Sequence, residues 1–376
     1  MSSGDGPKIL VVSPGSTSTR VALFMGEAGQ GDASLPAPRF ESRTDLWGEF
    51  PARLKAIREW LAKEGVEGAE LSAVVGRGGL FRPVEGGTYL VTEAMLADAK
   101  GNLQGVHASN LGCALARAMA DEATRERART TPSGSAEGQF SGGPVPALVV
   151  DPVSTDEFEE LARYSGLREI PRRSLGHALN IHALVQEVCK REGRNVKGSR
   201  FVVAHLGGGI SVCPVADGRI QDANDANSGG PFSPTRAGGL PIQEVIALSF
   251  SGKHTVHELE EMTVKRGGLM SYLGTDDARE VEKMIDRGDE EARTVYEAMA
   301  YQVAKEIGAM ATVLNGRVER ILLTGGLAAS DRFTAWIRER VGFLAPVEVW
   351  PEVEEMKALA RGALGVLKGE IQPKEY

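Results

Sequence analysis
Short apolar runs, each cut by a turn of glycine, proline or hydroxyl residues, alternate along this chain with longer stretches whose apolar residues recur every three or four positions. The short runs predict buried strands at residues 8–12, 20–24, 73–75, 146–150, 201–206, 210–215 and 320–324. The longer stretches predict amphipathic helices. Leu54, Ile57 and Leu61, with Trp60 beside the stripe, mark one over 51–64 and assign it to packing alone. Leu111, Leu115, Ala118 and Met119 mark a second from 107 to about 129, and a third pattern falls within 169–192. Val295, Met299, Val303, Ile307, Met310 and Leu314 keep one face of 294–314 apolar; Met356, Leu359, Ala363 and Leu367 do the same for 354–368.

The pattern repeats one unusual unit. Residues 201–215 read strand, Gly207-Gly208-Gly209, strand; residues 8–24 read strand, Ser13-Pro14-Gly15-Ser16-Thr17-Ser18-Thr19, strand. The two lie about 190 residues apart and suggest a duplicated hairpin. Glycine lets backbone N–H groups approach an anion closely, and hydroxyls suit phosphate oxygens, so each turn fits a phosphate. An ordinary hairpin with a glycine bulge or a polar turn fits the same residues. A third turn, Gly325-Gly326, follows the strand at 320–324 and leads toward a helix, an arrangement that accommodates a base or phosphate.

Two arginines stand among small residues: Arg77 between Gly76 and Gly78-Gly79, and Arg236 in the loop 222–239. Flanking glycines would keep a guanidinium uncrowded and open to a ligand, and two such groups could clamp a transferring phosphoryl. Asp151 ends the strand at 146–150, where α/β sheets place working side chains, although it could equally cap the segment after Pro152. His107 opens the second helix, and His177 and Asn180 lie three apart near the start of the third pattern. His182, His254 and His257 read as structural. Residues 130–144, rich in Ser, Gly and Thr, read as an exposed flexible loop.

Composition narrows the partners. The 376 residues exceed what one core usually serves and suggest two domains. A formal charge of −8 argues against a nucleic-acid or membrane surface and favours a small-molecule partner. Cys113, Cys189 and Cys213 follow no paired spacing and read as reduced core thiols, and no apolar run approaches membrane-span length; a cytoplasmic location is expected. No GxxxxGK[ST], HExxH, GxSxG or spaced Cys/His motif occurs, which leaves phosphoryl transfer by positioning and electrostatics.

The series of motifs resembles the butyrate kinases of the acetate kinase family, within the actin, sugar kinase and Hsp70 ATPase superfamily. The runs that carry the likeness are 14–19, 75–80, 107–110, 150–153, 173–174 with 177–180, 204–211, 230–241 and 296–314, covering nearly the whole chain in order. The resemblance implies an α/β protein of two ribonuclease-H-like domains with an interdomain cleft. The first domain would span 1–156, with the helix 356–376 packing back on it, and the second 157–355. It implies reversible transfer of the ATP γ-phosphoryl to a short-chain carboxylate such as butyrate or isobutyrate, giving acyl phosphate and ADP with Mg²⁺, in a homo-oligomer.

Carried over residue by residue, the resemblance makes Arg77 and Arg236 the clamp on carboxylate and phosphoryl, with His177 donating to the latter. Asp151 would organise the reacting groups and, with Glu354 or Glu355, serve Mg²⁺. Ser13, Ser16, Thr17, His205 and Gly207, Gly208 and Gly209 would hold the ATP phosphates; Gly325 and Gly326 would border the adenosine, and His107 would stand near the acyl site. One departure matters, because family members usually carry asparagine where this chain has Ser13. It motivates an alternative expectation, a weakly active or inactive nucleotide-binding relative with a sensing or scaffolding role.

Overall fold
Both hairpins form, and each begins a sheet of its own. The computed structural model describes residues 6–37, 46–130, 143–351 and 354–376, so residues 131–142 of the expected flexible loop lie outside the described residues. The chain divides into two units, Met1–Thr155 with Glu354–Tyr376, and Asp156–Val353.

In the first unit, β1 (Lys8–Pro14) and β2 (Ser18–Met25) pair antiparallel, and β3 (Ala28–Pro36) continues the antiparallel edge. After α1 (Phe50–Lys63) come β4 (Leu71–Arg77), β5 (Thr88–Leu90), α2 (Glu93–Lys100), α3 (Asn110–Thr130) and β6 (Ala147–Val150). The strand order is β3-β2-β1-β4-β6-β5, with β1, β4 and β6 parallel.

The second unit opens on α4 (Ala178–Arg191), then β7 (Arg200–Leu206), β8 (Ile210–Ala216) and β9 (Arg219–Ile220). Four short helices follow: α5 (Ile242–Ser249), α6 (Val256–Val264), α7 (Gly268–Leu273) and α8 (Ala278–Asp286). The long α9 (Glu290–Val313), β10 (Arg320–Thr324), α10 (Asp331–Val341) and β11 (Val347–Trp350) complete it. Its order, β11-β10-β7-β8-β9, repeats the first sheet in reverse listing: an antiparallel meander whose first strand pairs with a parallel strand, which in turn pairs with a second parallel strand.

Sequence explains the helices that support the sheets. Asp289 caps α9 by accepting from the Ala292 N–H, and Glu290 and Glu291 favour the positive end of its dipole. Its stripe of Tyr296, Met299, Val303 and Ile307 is fully buried, and each such side chain is worth about 1.5–3 kcal/mol. α11 (Glu355–Leu367) packs against β1, β4 and β6 and buries Leu359, Ala360 and Ala363. A Cβ at Gly362 would stand 2.5 Å from Val150 Cγ2, so only glycine lets this helix lie so close to β6.

The glycines around Arg77 have a different use from the one expected. A Cβ at Gly76 would meet the Gly112 carbonyl oxygen at 2.2 Å, one at Gly78 would meet Pro152, and one at Gly79 would meet Asn110. They let β4 and its continuation touch α3 and the β6 end, and space for the guanidinium is incidental.

Candidate active site
Strand register gathers the residues of the first unit. Val12 pairs with Gly76 in the parallel β1–β4 ladder, and Arg77 pairs with Val150 in β4–β6. Ser13, Arg77 and Asp151 therefore sit at the carboxyl ends of three adjacent parallel strands, where open α/β sheets bind ligands. Glu355, the first residue of α11, reaches two of them. Ser13 Oγ donates to Glu355 Oε1 at 2.7 Å, and Arg77 Nη1 lies 3.4 Å from Glu355 Oε2. Glu354 differs from its neighbour: it is the residue before the helix and pairs with Lys357 at 3.2 Å, its side chain 62% exposed.

Asp151 has φ +38°, a left-handed conformation uncommon outside glycine and often found at functional positions. Its Oδ1 accepts from the Gly87 N–H at 2.6 Å, while its own N–H donates to the Gly87 carbonyl at 3.0 Å. Both of these contacts tie Asp151 to the loop before β5. His107 lies three residues before α3. Its Nδ1 accepts from the Ser109 N–H at 3.2 Å and faces Ser109 Oγ at 2.6 Å, which puts the proton of the neutral ring on Nε2.

The first hairpin turn is held from inside by a residue of α1, a helix that the sequence assigned to packing alone. Arg53 on α1 is only 2% exposed. Its Nη1 donates to Ser18 O at 3.2 Å and Thr19 Oγ1 at 2.7 Å, and its Nη2 donates to Gly15 O at 2.9 Å. Nε and Nη2 both bond Glu49 Oε2, at 2.8 and 2.6 Å. With these carbonyls turned inward, Ser16 and Thr17 stand exposed at the tip. The overlooked signal was a charged pair four residues apart, Glu49 and Arg53, in line with apolar Ile57.

In the second unit the three glycines behave differently from one another. None has positive φ, so the turn does not need glycine for backbone freedom. A Cβ at Gly209 would lie 2.0 Å from Arg236 Nη1, so the guanidinium rests on the bare backbone there. Gly208 is exposed, with nothing within 4 Å of its Cβ position. Ser233 Oγ donates to Gly208 O at 2.6 Å and Thr235 Oγ1 does so at 3.3 Å, tying the loop that bears Arg236 to the turn. Arg236 also donates to Ala226 O at 2.9 Å, and burial lowers its pKa against a weaker opposing pull from Asp225.

His177 precedes α4 and stacks on His205 at 3.9 Å between ring centres, 19° from parallel. Its Nδ1 lies 3.0 Å from Ser211 Oγ, on the residue that pairs with His205 across the hairpin. Gly325 has φ +89°, and a Cβ there would lie 2.5 Å from Leu206 O; Gly326 is sterically open. Thr324 pairs with His205, so this turn and the three-glycine turn leave the sheet side by side. His182 is structural as expected, buried with Nε2 3.1 Å from Glu157.

Arginine and carboxylates thus gather at the carboxyl ends of parallel strands in the first unit, and glycine turns follow two parallel strands in the second, a class of α/β fold with two sheets of repeated topology. Solved structures agree in fold: Porphyromonas gingivalis acetate kinase superposes with a TM-score of 0.77 at 17% identity, over 96% of this chain and all of that one. A propionate kinase from Francisella tularensis gives 0.70 at 17%, over 95% and 98%. The profile of the Acetokinase family matches residues 170–345. A Caldanaerobacter subterraneus protein named "Probable butyrate kinase 2" is 45% identical over 98% of this chain and 99% of its own, and a Listeria monocytogenes "Probable butyrate kinase" is 43% identical over the same shares. The chain belongs to the butyrate kinases of the acetokinase family.

Proposed function
We propose that this enzyme moves the γ-phosphoryl group of ATP onto the carboxylate of a four-carbon acid, butyrate or isobutyrate, to give acyl phosphate and ADP, and that it runs in both directions. Family membership supports carboxylate phosphotransfer, and the observation that carries the residue assignment is Arg236 seated on Gly209 within the glycine turn. The acceptor is already an anion, so no general base is needed and the work is electrostatic positioning. Arg77 and Arg236 clamp the substrate carboxylate and the charge on the transferring group. His177, its Nδ1 3.0 Å from Ser211 Oγ, donates from Nε2 to a phosphoryl oxygen in the tautomer that carries its proton there. Gly207 to Gly209 and His205 receive the ATP phosphates, with Ser16 and Thr17 as hydroxyl partners. Gly325 and Gly326 border the adenosine, and His107 stands near the acyl group.

The donor chemistry also fits Mg²⁺. This ion takes hard oxygen ligands and, at nucleotide sites, only one or two protein carboxylates. Glu355 and Asp151 would hold it; bound, it would neutralise phosphate charge. Each Glu355 oxygen retains a lone pair beyond its contact with Ser13 or Arg77. Glu354, turned to Lys357, has no part in this reading.

A second copy of the chain is the proposed partner for α5, where Ile242, Ile246 and Phe250 are 68%, 50% and 87% exposed, more apolar surface than an isolated helix usually leaves in water. Buried thiols at Cys113, Cys189 and Cys213 suit the cytoplasm. Among the described residues no helix is long and apolar enough to cross a membrane. The substrate assignment is tested by kcat/KM for acids of increasing length. One methylene in an apolar pocket is worth about 1–3 kcal/mol, so butyrate should exceed acetate by at least about tenfold. Acetate as the best substrate would overturn the four-carbon reading.

A further inference from the structure
The segment from Lys374 to Tyr376 lies along β5, the edge strand of the first sheet, and grips the loop between Arg77 and β5 at both ends. At one end Lys374 donates its N–H to Thr88 O at 2.8 Å and accepts from the Leu90 N–H at 3.1 Å, a parallel bridge opposite Tyr89. Its Nζ donates to Gly86 O at 2.8 Å and pairs with Glu85 at 3.4 Å, and its stem crosses Gly87, where a Cβ would be 3.2 Å from Lys374 Cε. At the other end Tyr376 OH accepts from the Arg82 N–H at 2.9 Å and donates to Asp98 at 2.7 Å, its ring edge-on to Phe81. Burial, followed by neighbouring Asp98, raises the Tyr376 phenol to about 12, so it remains a proton donor at any working pH.

What the loop does with this support is specific. Gly87, under the Lys374 stem, gives its N–H to Asp151 and takes the Asp151 N–H in return. Asp151 holds a left-handed backbone that a non-glycine residue keeps only where its surroundings impose it. A loop of glycines, Gly86-Gly87 after Pro83, has little stiffness of its own. We propose that Lys374 and Tyr376 are positioning residues for Asp151: they fix the 81–88 loop so that Gly87 aims the carboxylate. This rests on the phosphotransfer reading for the role of Asp151, and on geometry alone for the coupling.

Two measurements on the full chain test it. In Lys374→Met the apolar stem remains and the Nζ bonds are lost, while Tyr376→Phe keeps the ring and loses both hydroxyl bonds. Small misplacements of catalytic groups cost up to about 100-fold, so Lys374→Met is expected to lower kcat by about 10- to 100-fold, with Tyr376→Phe less affected. The KM for ATP should change less than kcat, because, apart from the Mg²⁺ that Asp151 would share and the hydroxyls of Ser16 and Thr17, the proposed nucleotide groups belong to the other unit. Lys374→Arg should recover part of kcat. Amide exchange at Gly87, readable whether or not substrate turns over, should speed up in Lys374→Met without a comparable change in the core strands. Unchanged kcat in active enzyme, or ATP KM rising in step with the loss, would overturn the proposal; so would unchanged Gly87 exchange. A wild-type protein that phosphorylates no acid would instead remove the phosphotransfer reading, and the Gly87 measurement would still decide the coupling.

Discussion

The two hairpins occupy the same place in two sheets of the same topology, yet they are stabilised in opposite ways. In the first, Arg53 reaches up from beneath the turn and satisfies its carbonyls from the buried side, leaving hydroxyls at the surface. In the second, Arg236 comes down from a loop onto the outer face of the turn, and the glycine there exists to receive it. One guanidinium serves architecture, and the other is the one proposed to meet a ligand. The strand ends beside them divide the chemistry similarly. The first unit gathers Ser13, Arg77, Asp151 and Glu355, mostly charged side chains, while the second sets Arg236 and two stacked histidines beside glycine turns. A repeated topology thus fixes where a site residue stands, and what holds each turn determines what it offers.

The sharpest way to break this comparison is to add one methyl at two neighbouring glycines. Gly209→Ala would drive a Cβ into Arg236 Nη1 and displace the guanidinium. If that guanidinium meets transition-state charge, turnover should fall by about 10³-fold, because an arginine so placed can be worth that much or more. Gly208→Ala meets nothing in the protein, so its fold should be intact and any weakening of ATP binding would report a ligand against the turn. Near-normal turnover in Gly209→Ala, or ATP affinity untouched in Gly208→Ala, would return the turn to an ordinary hairpin.

Arg53 should respond in the other currency. Arg53→Met leaves Glu49 and the turn carbonyls without their donor, and removing one partner of a buried pair costs about 3–5 kcal/mol. Denaturant unfolding should show this loss, with kcat of the folded fraction reduced far less than in Gly209→Ala. A variant of normal stability but absent turnover would make Arg53 a ligand-contacting group and erase the contrast between the two hairpins.

Much of this was legible in the sequence because apolar periodicity reports burial. The strands that became β1, β2, β4, β6, β7, β8 and β10 and the long helix α9 were visible for that reason. β3 was not, since its residues Ala-Gly-Gln-Gly-Asp-Ala-Ser-Leu-Pro are exposed or half-buried, and only Ala33 and Leu35 among them give the inward face any apolar character. The helices α5 and α6 were missed because none of their residues is buried. At the candidate site, residue types were readable but their partners were not. The glycines near Arg77 looked like clearance for its side chain and instead admit α3, and the helix that bears Arg53 looked like an ordinary amphipathic one. Both depend on contacts between residues far apart in the chain, which local patterns do not encode.

Ser13 offers the smallest effect and refines the first-unit half of the comparison. Its hydroxyl is committed to Glu355 at 2.7 Å in a nearly buried position, so the residue fits its surroundings without a longer side chain. Ser13→Ala removes one hydrogen bond, worth about 0.5–1.5 kcal/mol, and should lower kcat by up to about tenfold. Ser13→Asn should also slow the enzyme, because the extra atom crowds Glu355. Kinetics across a magnesium titration check this; faster turnover in the asparagine variant would show that serine is the poorer residue here.

The proposed function gives Arg77 and Arg236 roles in the same transfer step. It is tested most directly by trapping acyl phosphate formed from ATP and butyrate in wild type, Arg77→Ala, Arg236→Ala and the double variant. Groups that act as a unit are strongly non-additive, so each single variant should lose most of the rate and the double variant should be little slower than the slower single. Losses that multiply in the double variant would show that the two arginines act independently and would contradict the account.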